Sequence, residues 1–442
     1  MSGSSFRQGS QGLDHLSHLD VSAKQVERVV RRIGEERCDQ RDAEVEAFER
    51  LPLVDKDKAP KGITPPDLAV VMVDGGRLQI LDRSGSTADS GEKGEEQEEP
   101  TVREPGSKGK HWREGKVGLL MRMSSPSSKA DPCPDIPQHF IDEARIEKLA
   151  REMKAKPRRV EAASPSQQDD GPVESIPTTD PEAEPTATPA ATAADAPVSP
   201  CAEEGKTPSS REEGSSWDPP EVKARKVVAS RRNWKKFGPI LATAAWSVGY
   251  MAAPRRAFVG DGSTHVWGVW RRHFTRFEPI LDFVHALTYV YGGAMAGRQD
   301  QGEGWKVYQR WIGWVWQGKV GKVIEELRKR QQEIGEVEEG DKEGSPRKVV
   351  QETLTYLGNQ QGRMKYHEYR QKGLPVSSSH IESEIKRMNQ RVKGTEKFWS
   401  EKGAEGILQL RADYLSDDKP MDTFWKNRQS EETGQRRYRK RT

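Results

Sequence analysis

Three acidic residues stand at the edges of apolar segments: Asp74 in Val-Val-Met-Val-Asp-Gly-Gly-Arg, Asp261 in Ala-Phe-Val-Gly-Asp-Gly, and Glu382 in Ser-Ser-Ser-His-Ile-Glu-Ser. Carboxylates held at strand ends and on a facing helix bind divalent metals for phosphoryl transfer. The chemistry they point to is work on nucleic-acid phosphodiesters. Each also has a plainer reading. Asp74-Gly75 and Asp261-Gly262 suit tight turns, and Glu382 suits a helix start, where a carboxylate meets the positive end of the helix dipole. Asp282 and His285, three apart in Asp-Phe-Val-His, suit a supporting hydrogen bond. A third feature is the stretch from Lys386 to Lys402, which interleaves Arg387, Arg391, Lys393 and Lys397 with Phe398 and Trp399. Cations there can neutralise phosphates while rings stack on exposed bases; the alternative is a solvated helix face with two core aromatics.

The elements that must position these residues can be read from periodicity. Leu68 to Leu81 and Lys116 to Met123 read as consecutive strands of one sheet. Val227-Val228-Ala229, a helix carrying Phe237, Ile240, Leu241 and Ala244, and a strand running into Asp261 make a βαβ unit. Pro279 to Phe283 is a further short strand. The remaining third of the chain is mostly helical, with a tryptophan-rich stretch from Trp305 to Gln332, another helix from Pro346 to Gln361, and a helix opened by Ser377-Ser378-Ser379 that carries Glu382. At the other end, Val26, Val29, Val30 and Ile33 have helical spacing after Ser22, with a pause at Gly34. Lys24, Arg28, Arg31 and Arg32 there are candidate DNA contacts.

Composition limits how much of the chain these elements occupy. With 33% hydrophobic and 32% charged residues in 442, part of the chain lacks the apolar surface to fold. The Gly-, Ser- and Glu-rich stretch 83–110 and the Pro-, Ala-, Thr- and Glu-rich stretch 157–220 are expected to be disordered insertions. The net charge of +3 hides acidic runs offset by basic ones, the last being the basic tail 426–442. Cys38, Cys133 and Cys201 stand alone, which supports neither a disulfide framework nor a zinc cluster and suits a reducing cytoplasm. The N-terminus lacks a signal-peptide core, and no apolar run reaches the roughly 20 residues of a membrane helix.

Taken together, Val-Met-Val-Asp-Gly-Gly-Arg, His-Trp-Arg-Glu-Gly-Lys-Val-Gly, Phe-Val-Gly-Asp-Gly, Pro-Ile-Leu-Asp-Phe-Val-His-Ala and Gly-Leu-Pro-Val-Ser-Ser-Ser-His-Ile-Glu-Ser form an ordered set. The succession resembles bacterial insertion-sequence transposases of the ISKra type, themselves similar to the Mutator-like group. It covers residues 65–123 and 225–425. The resemblance implies an α/β, RNase H-like mixed sheet flanked by helices, with a helical N-terminal region (1–60) that suits DNA binding. The core would run over 65–155, with its loop at 83–110, and resume over 225–425 with a helical insertion at 300–362. It further implies a DDE-type DNA transposase in which Asp74, Asp261 and Glu382 hold two Mg²⁺ or Mn²⁺ ions and catalyse cleavage and strand transfer of insertion-sequence ends. Asp282 and His285 would support the site, and many relatives have Cys-x-x-His at that point. The implied partners are transposon ends and target DNA, with a homo-oligomer assembled on them in the bacterial cytoplasm at the nucleoid. Two other readings of the same residues are a non-catalytic or degenerate transposase-derived DNA-binding protein and an RNase H-like nuclease.

Overall fold

The computed structural model describes residues 5–80, 112–154, 218–393 and 399–430. The expected insertion 83–110 lies outside the described residues, as do all but the last three positions of 157–220 and residues 431–442 of the basic tail. In chain order the elements are α1 (Phe6–Ser17), α2 (Ala23–Glu49), α3 (Leu53–Lys56), β1 (Leu68–Gln79), β2 (Trp112–Ser124), α4 (Glu143–Lys154), β3 (Glu221–Ser230), α5 (Trp234–Ser247), β4 (Arg255–Gly260), α6 (Thr264–His273) and β5 (Glu278–Leu281). After them come α7 (Phe283–Met295), α8 (Gln301–Trp316), α9 (Val320–Ile334), α10 (Pro346–Gln360), α11 (Tyr366–Gln371), α12 (Ser379–Val392), α13 (Glu401–Leu415) and α14 (Pro420–Ser430).

The architecture is a five-stranded mixed sheet, order β3-β2-β1-β4-β5, flanked by helices. β1 is antiparallel to β2, and β2 to β3, while β1, β4 and β5 run parallel. Leu68 to Val73 of β1 are all nearly inaccessible, as befits a central strand covered on both faces. The strand does not turn at Asp74-Gly75. It continues residue for residue against β2, with Asp74 opposite Val117, Gly75 opposite Lys116 and Gly76 opposite Gly115. Asp74 is therefore not at a hairpin tip. β3 and β4, the two strands of the expected βαβ unit, are parallel but stand two strands apart, so α5 crosses over β2 and β1.

Side-chain alternation assigns the faces. A Cβ on Gly118 would lie 2.4 Å from Leu241 of α5, and one on Gly260 would lie 2.7 Å from Val266 of α6. The face carrying positions 116, 118 and 260 is thus filled by α5 and α6, and positions 74, 117, 259 and 261 point the other way.

Around the sheet, two helical expectations change. α2 opens on the expected cap at Ser22, whose side chain accepts from Gln25 N–H, but it runs through Gly34 without a pause. Gly34 is instead a contact: a Cβ there would sit 3.0 Å from the Gly406 backbone of α13. The two helices are pinned beside it by buried ion pairs, Arg37 to Asp413 at 2.8 Å and Arg41 to Glu405 at 2.8 Å. The tryptophan-rich stretch is two helices, α8 and α9, because the chain turns at Gly318 with φ +73°. α8, α9 and α10 pack with α7, and along the chain these helices lie between β5 and the helix that carries Glu382. Among the described residues no helix is long and apolar enough to cross a membrane.

Candidate active site

Strand register places three acidic residues in one row. β1 and β4 pair up to Met72 opposite Val259, and β4 and β5 up to Gly260 opposite Leu281. Carried forward along each strand, these registers bring Asp74, Asp261 and Asp282 level, on neighbouring strands about 4.8 Å apart. Alternation turns Asp74 to the face away from α5 and α6, and Asp261 and Asp282 follow directly on the ends of β4 and β5. The row lies at the carboxyl ends of the parallel pairings and spans the point where β1 leads to β2 on one side and β4 to β5 on the other. In open α/β sheets that reversal leaves a crevice suited to ligands.

Local hydrogen bonds fix each side chain. Asp74 Oδ1 accepts from Gly75 N–H at 2.6 Å. Asp261 Oδ1 accepts from Ser263 N–H at 2.9 Å, at the start of α6. Its backbone carbonyl accepts from the Tyr356 hydroxyl at 2.8 Å, and Gly262 O accepts from Gln360 Nε2 at 3.0 Å. Gly262 has φ +101°, and a Cβ there would meet the Tyr356 ring at 2.8 Å, so the turn after Asp261 requires glycine. Tyr356 is itself stacked on Tyr289, ring centroids 3.7 Å apart.

Asp282 is the most embedded member of the row, 1% exposed. It caps α7, accepting from Val284 and His285 N–H, and its Oδ2 lies 2.6 Å from His285 Nδ1. Burial alone would raise its pKa, but the His285 contact and Ser378 bring it below the ordinary carboxylate value. Burial would likewise lower His285, yet the bond to Asp282 and the charges of Asp282, Asp261 and Asp74 raise it to about 9. His285 therefore senses all three carboxylates of the row, and each of them favours its charged form.

The same Asp282 ties down the helix carrying Glu382. Its Oδ1 accepts from Ser378 N–H at 2.8 Å, and Phe283 N–H donates to Val376 O at 2.9 Å. α12 starts at the next residue and packs across β1 and β2. Glu382, half-buried, lies in its first turn. Among the described residues no three His, Cys, Asp or Glu side chains stand grouped as ligands of one ion.

The DNA-contact candidates divide. Arg387 is about half exposed and pairs with Glu384 at 2.6 Å, and Lys393 is exposed. Lys397 and Phe398 lie outside the described residues. Arg391 and Trp399 differ from the picture of a solvent-facing strip. Arg391 is 5% exposed, and Trp399 is half-buried, its indole N–H donating to Val392 O at 2.8 Å. The helical spacing of α12 turns Arg391 inward with Met388 and Val392. On α2, Lys24 and Arg31 both pair with Glu27, and Arg32 pairs with Glu36.

Two neighbours of the site escape a reading by motif, Tyr356 and Gln360, whereas Ser378 and Lys116 lie within quoted motifs and Lys116 faces α5 on the other side of the sheet. Tyr356 and Gln360 are four apart on one face of α10, a spacing visible in sequence, but nothing local says that this face meets the Asp261 turn. Lys116, opposite Gly75, is 4% exposed and reaches Glu114 at 3.1 Å and the Trp234 ring at 5.7 Å. Comparison of the chain with protein-family models, with curated proteins and with solved structures finds no match in any of the three.

Proposed function

We propose that this chain is a DDE-type DNA transposase built on an RNase H-like core, cleaving and joining phosphodiesters with Asp74, Asp261 and Glu382. One observation carries the reading. Asp74 and Asp261, far apart in sequence, are level on adjacent parallel strands at the sheet's reversal point, and the helix bearing Glu382 is tied to the same row through Asp282. The five-stranded mixed sheet flanked by helices, with Asp74 in β1 and Asp261 directly after β4, supports the reading.

The donor set fits hard divalent cations such as Mg²⁺ or Mn²⁺, because all three groups offer oxygen and Asp282 is already matched by His285. Asp74, Asp261 and Glu382 would hold the ions, which when bound supply a nucleophile at neutral pH and stabilise the leaving oxygen. The chain's own contribution is positional. Ser263 and Tyr356 hold the Asp261 turn, Gly75 N–H orients Asp74, and Asp282 seats the first turn of α12. The partners would be transposon ends and target DNA, with assembly into a homo-oligomer on them at the bacterial nucleoid.

The test is a metal-controlled nicking and strand-transfer assay on DNA carrying the ends that flank the coding region. Wild type should require Mg²⁺ or Mn²⁺, and Asp261→Asn should lose nearly all cleavage while DNA binding stays similar or tightens. Cleavage by Asp261→Asn at the wild-type rate would remove the catalytic assignment. DNA binding without metal-dependent cleavage in the wild type would leave the non-catalytic binding protein in its place.

A further inference from the structure

Arg391 poses a problem that the carboxylate row does not solve. It is 5% exposed, yet among the described residues its Nε and Nη2 have no hydrogen-bond partner. Its guanidinium carbon lies 4.7 Å from the Phe6 ring centroid and 5.2 Å from that of Trp399. A second cation, Arg411, is close enough that burial and then its charge hold Arg391 below the ordinary arginine pKa. Among the described residues, the acid whose charge reaches Arg411, Glu384, pairs through Oε1 with Arg387 at 2.6 Å and with Arg225 at 3.7 Å. A guanidinium taken out of water without an anion is costly, and its planar N–H fork matches phosphate oxygens.

The cover over Arg391 is slight. Phe6 is the first residue of α1, a 12-residue helix that packs mainly on α2. Leu16 near its end is 87% exposed, and Leu19 beyond it is 52% exposed. A short helix with so little apolar burial opens at low cost compared with the core. Trp399 remains behind it, half-buried, with its indole N–H occupied by Val392 O and a ring face against Arg391.

Building on the nucleic-acid reading above, we propose that Arg391, Arg411 and Trp399 form a phosphate-binding site for a nucleic-acid strand, and that α1 closes this site by laying Phe6 on Arg391. When α1 lifts, the Nε and Nη2 N–H groups of Arg391 meet a backbone phosphate and the Trp399 ring meets a base or sugar. The protein thereby keeps a strand-binding surface shut until a strand displaces its N-terminal helix.

The experiment measures binding of a labelled single-stranded oligonucleotide to the full chain by fluorescence anisotropy in EDTA, so that failure of the metal chemistry and failure of this site are separate results. Phe6→Ala should bind about tenfold tighter than wild type, the scale set by losing one cation–π cover. Adding Arg391→Gln to Phe6→Ala should abolish that gain. Phe6→Ala binding no tighter than wild type, or the double variant binding as tightly as Phe6→Ala, would overturn the proposal. Thermal unfolding supplies the second readout. Arg391→Gln should melt no lower than wild type, because an unpaired buried charge has been removed. A clearly lower melting temperature would make Arg391 a structural prop instead. Inorganic phosphate is the last arm: if it alone stabilises Phe6→Ala while the oligonucleotide does not bind, the nucleic-acid source is wrong.

Discussion

Asp282→Ala is the most informative perturbation of the site, because one buried carboxylate performs three tasks. It caps α7, it pairs with His285 at 2.6 Å, and it accepts from Ser378 N–H at 2.8 Å to seat α12. Losing the cap costs about 1 kcal/mol. Stranding the N–H of Ser378, itself 6% exposed, adds about 1 to 3 kcal/mol. Breaking the buried charge pair brings the total to about 3 to 5 kcal/mol, less whatever His285 recovers by shedding its proton. The pH dependence has a definite sign. His285 at about 9 lies above its unfolded value, so its share of the stability is present below about 6.5 and is lost as pH rises through 9. Asp282 is depressed, so its share is present above about 3.9 and is lost as pH falls through its folded value. The gap between wild type and Asp282→Ala should therefore be widest from about pH 4 to 6.5 and narrow toward pH 9 and beyond. Denaturant unfolding followed by far-ultraviolet circular dichroism at pH 6 and pH 9.5 measures it. A gap below about 1 kcal/mol, or one equal at both pH values, would refute the claim that this pair anchors the site.

Three further outcomes test the frame around it. Gly262→Ala forces a side chain into φ +101° and against the Tyr356 ring, so it should cost about 1 to 3 kcal/mol, readable as a lower melting temperature. Gly34→Ala places a methyl 3.0 Å from the Gly406 backbone and should destabilise the α2–α13 contact by about 1 to 3 kcal/mol, whereas Gly12→Ala, with open space around it, should not. His273 is lowered to about 4 by burial first, then by Arg272 and Lys56, so it binds fewer protons folded than unfolded. Stability should rise with pH between about 4 and 6.5, and His273→Leu should flatten that slope in denaturant titrations.

How much of the fold and site was legible in the chain depends on whether the deciding interaction is local. The buried run of β1 and the apolar helix of α5 announce themselves by type and period, because a strand covered on both faces needs nothing but apolar residues. Asp74-Gly75 does not announce itself. Its local preference is a turn, and pairing with β2 overrides it across a gap of more than thirty residues. Gly34 reads as a helix pause for the same reason, since its cause is the distant Gly406. In Lys386 to Lys402 the cations and aromatics are plain, but which of them turn inward is decided by what α12 packs against, and Arg391 faces Phe6 from the opposite end of the sequence. The row of acids shows the limit most clearly. An acid directly after an apolar strand is visible for Asp74, Asp261 and Asp282 alike, yet their alignment is a property of register between strands. Register is set by which faces must be buried, and a slip of one residue would turn Asp74 toward α5 and Met72 with it. The burial of Leu68 to Val73 on both sides leaves that slip no favourable pairing, so the same apolar residues that build the core also hold the carboxylates in line.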